Sequence, residues 1–295
     1  MLRHNPYKLE LIPDVDQWRL LKMLPLIRRY HFDIAIGLSQ AGSFFTRFCA
    51  APLWGDFFSI PLQTGRPVVQ TCFTVLQSVG IFTAATETEF WFDRAADRAA
   101  RDFLSRIGDQ GPQPLIAMHC GGHYFIRKRW PTAYFAELAL RIMQAGYRVI
   151  LIGGGEDREI AAEVLTEVPQ AGSAVGRLKL GETAALLKKC QLLIGNDSGP
   201  LHLAAALGVP TLGLFGPTDP RQFYPYAAPR HRYLYKGFTC SPCFRFGGGL
   251  WQHVPRCSKA YCMYAITPDE VMELTQEQIC HDEPLKMPAF QGDAP

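Results

Sequence analysis

The chain has 295 residues, 48% of them hydrophobic, with nine cysteines and a formal net charge of +3. That length and apolar content suffice for two medium domains, each burying its own core, and they exclude a disordered or fibrous chain. The excess charge is mild and gathers into no Lys/Arg stripe, so no nucleic-acid partner is expected, while a weakly basic face toward anionic ligands or lipid headgroups stays open.

The N-terminal "MLRHNPYKLELIPD" carries charge and proline where a signal peptide needs an apolar core, which points to a cytosolic chain. The most apolar window, Leu201 to Phe215, holds His202 and is broken by Gly208, Pro210 and Gly213. It falls short of the ~20 apolar residues that a membrane helix needs, so no transmembrane segment is expected. In a reducing compartment the cysteines read as thiols or metal ligands, with Cys49, Cys72, Cys120 and Cys190 as buried small residues.

In the first hundred residues "RYHFDIAIGLSQ" contains a strand, with Asp33 capping or pairing at its start. "AGSFFTRFCAA" and "RPVVQTCFTVLQSVG" are helix candidates, and "FFSIPL" is strand or loop. Together they make half of an α/β domain. Charge, Gly and Pro then cluster in "LSRIGDQGPQP", which sets a domain boundary near residue 108. From Gln113 onward short β-rich runs alternate with amphipathic helices, the pattern of βαβ units and a parallel sheet. "PLIAMHC" is a strand, and after the loop "GGHYFIRKRW" Pro131 suits the first turn of the helix "TAYFAELALRIMQAG", which Gly146 ends. "YRVILIGG", a weak "AGSAVG", "QLLIG" and "VPTLGLFG" are further strands. "EDREIAAEVLTEV", "GETAALLKKC" and "GPLHLAAALG" are the helices between them. Thr267 and Glu270 form a capping box for a last helix in "ITPDEVMELTQEQIC", followed by a disordered tail over 281–295.

The chemistry concentrates at strand ends. In an open parallel sheet ligands bind beyond the carboxyl ends of the strands, where "NDSGPLH" places Asp197, Ser198, Gly199 and His202. Ser198 suits the N-cap of the following helix, Gly199 allows close approach, and the helix dipole favours an anion. The next corner adds the Thr218 hydroxyl, so the two corners suggest a diphosphate cradle. Arg127, Lys128 and Arg129 precede another helix start, where cations oppose the dipole unless an anion lies between. Glu156 in "GGGED" could accept from ribose hydroxyls. Taken singly, an Asp-Ser-Gly is more often a helix cap, a lone His a core residue and a basic run a solvated face; the combination shifts the balance. In the C-terminal part, Cys240-x2-Cys243-x13-Cys257-x4-Cys262 has the spacing of a four-thiolate structural site for zinc or iron, with an unmetallated loop as the alternative.

"NDSGPLHLAAALGVPTLGLFGPTDP", "RKRWPTAYFAELA", "LIGGGEDRE" and "CSPC" with "ITPDEV" resemble glycosyltransferase family 9, the ADP-heptose:lipopolysaccharide heptosyltransferases, over residues 1 to 280. The resemblance implies an α/β fold of GT-B type, two Rossmann-like doubly wound domains. Residues 1–108 would be the acceptor-side domain, incomplete at its start. Residues 109–280 would hold the nucleotide-sugar and carry the Cys-rich loop 240–262. It implies transfer of a heptose or related sugar from an ADP-sugar to a lipopolysaccharide-core or similar glycan, with no cofactor needed for transfer and inversion at the anomeric centre. Lys128 falls on the donor-phosphate lysine, Glu156 on the ribose contact, and Asp197, Ser198, Gly199 and His202 on the donor loop. By the same resemblance the expected location is the cytoplasm, with peripheral association at the inner face of the inner membrane left open. The family's first strand and its acidic loop have no counterpart before "MLRHNPYKLELIPD". The general base is therefore unassigned, and the expectation is a chain that binds donor and transfers slowly. A catalytically silent nucleotide-sugar-binding homologue or partner subunit is the alternative.

Overall fold

The computed structural model describes residues 31–37, 46, 50–60, 67–83, 88–108, 111–122, 126–224, 229–247, 250–253, 257 and 259–281. The stretch "AGSFFTRFCAA" lies mostly outside these residues, as do Cys49 and the tail from residue 282. Near the start, strands β1 (Ile34–Gly37) and β2 (Leu53–Asp56) pair in parallel. Asp33 takes part through its carbonyl, which accepts from Leu53 N–H at the strand start. Helix α1 (Val68–Ser78) packs against β2, as the spacing of "RPVVQTCFTVLQSVG" predicts, and "FFSIPL" opens with a 3₁₀ turn over Phe57–Ser59.

The remaining strands build one parallel sheet. β3 (Leu115–His119), β4 (Arg148–Leu151), β5 (Gly172–Ser173), β6 (Leu192–Asn196), β7 (Thr211–Phe215) and β8 (His231–Tyr235) lie in the order β5-β4-β3-β6-β7-β8. Every residue of β3, β6 and β7 is buried, because helices cover both faces of the sheet. α3 (Thr132–Gln144) and α4 (Arg158–Glu167) pack on one face, and α5 (Leu180–Leu187) and α6 (Gly199–Ala206) on the other. Winding reverses between β3 and β6, and at that point the strand ends part to leave a crevice.

Several elements carry no expectation from the sequence, β2, helix α2 and strand β8 among them. Helix α2 (Arg94–Arg106) is rich in charge, yet Ala100, Phe103 and Leu104 pack with Ala184 to Leu187 of α5 in the sheet's core. Burying Phe103 and Leu104 stabilises this packing by ~1.5–3 kcal/mol each, and Asp93 caps the helix by accepting from Ala96 N–H at 2.8 Å. The core of the C-terminal sheet thus recruits chain that precedes residue 108. β8 is only partly buried, as the edge strand of the sheet, and lacks the continuous apolar run that marks β3 or β6. Smaller features are local. α3 begins at Thr132, with Pro131 at the N-cap instead of inside the first turn. The capping box at Thr267 forms as expected, Thr267 N–H donating to Glu270 at 3.0 Å and Glu270 N–H to the Thr267 hydroxyl at 3.3 Å, and starts α9 (Pro268–His281), which lies against α3. No described helix is long and apolar enough to cross a membrane.

Asn196 fixes the loops at the switch point. It is fully buried at the end of β6, and its amide donates to the carbonyls of Cys120 and Gly121, both at 3.0 Å. Its carbonyl oxygen accepts from Trp130 N–H at 2.9 Å, and the Trp130 indole donates to Ile266 O at 2.8 Å. Asn196 therefore joins the ends of β3 and β6 to the entry of α3, and Trp130 carries the link on to the segment leading into α9. We expect Asn196→Ala, which strands three buried backbone groups, to cost ~2–4 kcal/mol in urea denaturation, and Asn196→Asp to cost at least as much because a carboxylate cannot donate to two carbonyls.

A second buried network ties β7 to β8. His231 Nδ1 lies 2.8 Å from Thr211 Oγ1, and its Nε2 accepts from Arg230 at 3.4 Å, which holds the ring neutral. Burial, and then the neighbouring Arg230, push the His231 pKa down to about 4. The unfolded chain therefore binds the extra proton first, and stability is lost as pH falls from the ordinary imidazole range toward 4. Against His231→Gln, the native chain should lose an additional ~1–2 kcal/mol between pH 7 and pH 4.5 in denaturant melts, the figure being reduced for partial solvent access.

Candidate functional site

The crevice opens into a cavity of about 820 Å³ at the carboxyl ends of the central strands. Its lining divides in kind: Phe90, Ile152, Leu178 and Leu203 are apolar, whereas His119, Glu156, Asp157, Ser198 and His202 are polar, with Gly154 and Gly199 between them. The division suits a ligand with a flat apolar part and an anionic part.

Of the residues expected from the sequence, Glu156, Ser198, Gly199 and His202 line this cavity, whereas Lys128, Asp197 and Thr218 do not. Glu156 is exposed on the rim, in a 3₁₀ turn over Gly155–Asp157. Lys128 and Asp197 stand together, with Nζ 2.8 Å from Oδ2 and the ammonium 5.5 Å over the Phe244 ring. Thr218 is fully buried, and its hydroxyl has no hydrogen-bond partner among the described residues. Burial holds His202 below the ordinary imidazole range, Asp197 pulling it up and Lys128 down, so the ring facing the cavity is neutral near pH 7.

Ser198 departs from its expected role. It occupies the N-cap of α6, but its side chain makes no capping bond. The hydroxyl instead lies 2.9 Å from Asn196 O and 2.9 Å from His119 Nδ1. A side chain turned toward the sheet leaves the first-turn N–H groups and the positive end of the helix facing the crevice. The basic triplet is also divided: Arg129 donates to Gly122 O at 3.0 Å and Arg127 faces Cys243 and Cys257, which leaves Lys128 as the cation of the Asp197 corner.

The structure adds two residues that the sequence analysis did not single out. His119 ends β3, and its Nε2 lies 3.3 Å from Oδ2 of Asp157; both side chains are buried. Asp157 also accepts from Gly154 N–H at 3.1 Å and Gly122 N–H at 3.3 Å. Burial opposes its charge, but the His119 hydrogen bond and these amides outweigh it and hold the carboxyl below the usual range. Gly121 makes the arrangement possible, since a Cβ there would lie 1.9 Å from the Asp157 carboxylate. A polar residue closing an apolar strand was the available signal, because such a position faces the ligand crevice.

The cysteines of the C-terminal loop range from exposed Cys240, through half-buried Cys243 and Cys257, to buried Cys262 at the start of the short helix α8 (Tyr261–Tyr264). Burial pushes the Cys243 thiol up and that of Cys262 to about 11, and neighbouring cysteines add to both. Burial also opposes ionisation of Cys257, but the backbone N–H groups of Lys259, Tyr261 and Ala260, with Arg127, bring its thiol below the ordinary range. Cys243 feels the charge of Cys240 and Cys257, and Cys262 that of Cys243 and Cys257. Among the described residues no group of three or more Cys, His, Asp or Glu is arranged to hold a metal ion, with Cys262 packed into the sheet's core and Cys240 facing solvent.

Residues 27–248 match the model of glycosyltransferase family 9 (heptosyltransferase). Lipopolysaccharide heptosyltransferase 2 of Salmonella typhimurium is 35% identical over 113 residues, 37% of this chain and 32% of that protein. The chain thus spans about a third of the length of such curated relatives in these matches. Among solved structures, the glycosyl transferase family 9 protein of Veillonella parvula superposes with a TM-score of 0.76 at 22% identity, covering 95% of this chain and 86% of that one. The E. coli ADP-heptose lipopolysaccharide heptosyltransferase II superposes with a TM-score of 0.69 at 20% identity over the same shares. The fold is accordingly of GT-B type, and with three quarters of its length matched by the family model the chain belongs to glycosyltransferase family 9, the heptosyltransferase family.

Proposed function

We propose that the chain transfers a heptose, or a related sugar, from an ADP-sugar to a hydroxyl of a lipopolysaccharide-core or similar glycan. The observation that carries this reading is the cavity at the switch point with its mixed apolar and polar lining, in a chain of this family. The apolar wall suits the adenine ring, and Glu156 on the rim suits ribose hydroxyls. The first turn of α6 at Ser198 and Gly199, with Lys128 and neutral His202 nearby, suits the diphosphate. Lys128 and the helix N-terminus would stabilise the charge that grows on the departing diphosphate, which is electrostatic catalysis by groups already in place. Asp197 and the packed Phe244 ring hold Lys128 at that corner. Transfer by this route needs no cofactor. A glycolipid acceptor would bring the chain, in this reading, to the cytoplasmic face of the inner membrane as a peripheral enzyme.

The expected results are these. Lys128→Ala should weaken ADP binding by ~1.5–3 kcal/mol in calorimetry, the loss of a charge-assisted contact; equal affinity would remove that lysine from the donor site. ADP release that requires both ADP-heptose and a heptose-deficient lipopolysaccharide supports transfer, whereas ADP binding without turnover supports the silent nucleotide-sugar-binding homologue.

The cysteine loop admits a second proposal, a structural zinc or iron held by Cys240, Cys243, Cys257 and Cys262. What supports it is the donor chemistry: Cys243 and Cys262 each feel the charge of two other cysteines of the four, and Cys257 is approached by three backbone N–H groups. Elemental analysis of protein purified without chelator should then find about one metal per chain. A metal-free chain of unchanged melting temperature would return the loop to free thiols.

A further inference from the structure

His119, Asp157 and Ser198 form a hydrogen-bonded row in the lining of the cavity, and with Asp157 held as a carboxylate, counting the protons leaves one consistent arrangement. His119 Nε2 lies 3.3 Å from the Asp157 carboxylate, which only accepts, so Nε2 bears a proton. Ser198 Oγ lies 2.9 Å from Asn196 O, which also only accepts, so the single hydroxyl proton points there. His119 Nδ1, 2.9 Å from the same Oγ, must then donate to it. With one ring proton fewer, two lone pairs would meet at one of these three contacts.

We propose that His119 and Asp157 form a buried imidazolium–carboxylate pair that positions the Ser198 hydroxyl as a proton donor to the diphosphate of a bound nucleotide. The inference rests on reading this cavity as the donor site. With Nδ1–H directed at Oγ, the hydroxyl cannot use the histidine as its acceptor. Its proton is left with two choices, the Asn196 carbonyl or an anion at the start of α6. Binding swings one O–H and moves no proton between groups, so the pair is ready before the nucleotide arrives. Asp157 accepts two backbone N–H bonds besides the imidazole, so it remains a carboxylate, and the net charge of the buried pair is zero. His119 and Asp157 are positioning residues, acting through Ser198.

Charged and titratable groups reach the row from each packed element: Asp157 and Glu156 from the loop after β4, Cys120 adjacent in the chain, and Lys128, Asp197 and His202 around the start of α6. A hydroxyl oriented by an imidazolium loses that orientation when the ring gives up its second proton, so nucleotide affinity should fall as pH rises through that loss.

The test has two readouts. Nitrogen NMR of histidine-labelled, nucleotide-free protein, with the His119 signals assigned by His119→Gln, should show protons on both ring nitrogens at pH 7. Asp157→Asn should show one. A singly protonated His119 in the native chain at pH 7 overturns the proposal. Calorimetry with ADP from pH 6 to 9 should show affinity falling with rising pH, the fall moving to lower pH in Asp157→Asn. In Ser198→Ala, binding should be about tenfold weaker and free of that extra pH dependence. Ser198→Ala removes one oxygen and no buried charge, so it decides the matter even where Asp157→Asn does not fold. Ser198→Ala binding ADP with native affinity and native pH profile overturns the proposal. A native chain that binds no ADP at any pH overturns the donor-site reading instead, while the ring protons, measured without nucleotide, still decide the pair.

Discussion

The Asn196 carboxamide is the constraint on which the site depends. A doubly wound sheet separates its strand ends at the switch point, and that separation exposes backbone carbonyls and amides to a crevice with no strand partner to satisfy them. Asn196 answers three of them at once, two carbonyls after β3 and one amide before α3. With those loops held, Gly121 and Gly122 approach Asp157, Trp130 anchors the start of α3 against the segment leading into α9, and Ser198 is set at the opening of α6. Removing one hydrogen-bonding side chain from the floor of the crevice would therefore loosen every wall of the cavity.

Charge around the crevice is organised in pairs. Lys128 sets a cation against the buried Asp197 carboxylate, and His119 lies against the buried Asp157 carboxylate, so neither acid stands alone in a low-dielectric corner. Backbone dipole remains as an uncompensated positive field, from the first turn of α6, which Ser198 leaves uncapped by its side chain. An anion entering there meets donors that are already oriented and need not break a strong ion pair to be received. His202, kept neutral by burial, can serve either as donor or as acceptor at the same place.

Much of this was legible in the chain itself. Continuous apolar runs marked β3, β4, β6 and β7, because strands covered on both faces have no polar side to present. Gly and Pro between the runs marked the turns, and Thr267 with Glu270 marked the start of the last helix. Helix α2 was hidden because its buried face is short, three residues in a charged stretch, and β8 because an edge strand needs no unbroken apolar run. Glu156, Ser198, Gly199 and His202 reach the cavity because their strand-end positions, which the sequence does reveal, coincide with the switch point.

By itself the sequence determined the α/β pattern, the family and the loops that carry the chemistry, since these follow from local periodicity and short motifs. Tertiary structure alone decided which polar residues meet. His119 and Asp157 are 38 positions apart, and His119 and Ser198 are 79 apart; they touch because β3 pairs with both β4 and β6. The same holds for Ser198, whose turn from capping its helix to facing a histidine depends on the register of β3 against β6. A sequence states which residues stand at the strand ends, but the order of strands in the sheet sets their neighbours, and that order is fixed by packing across the whole domain.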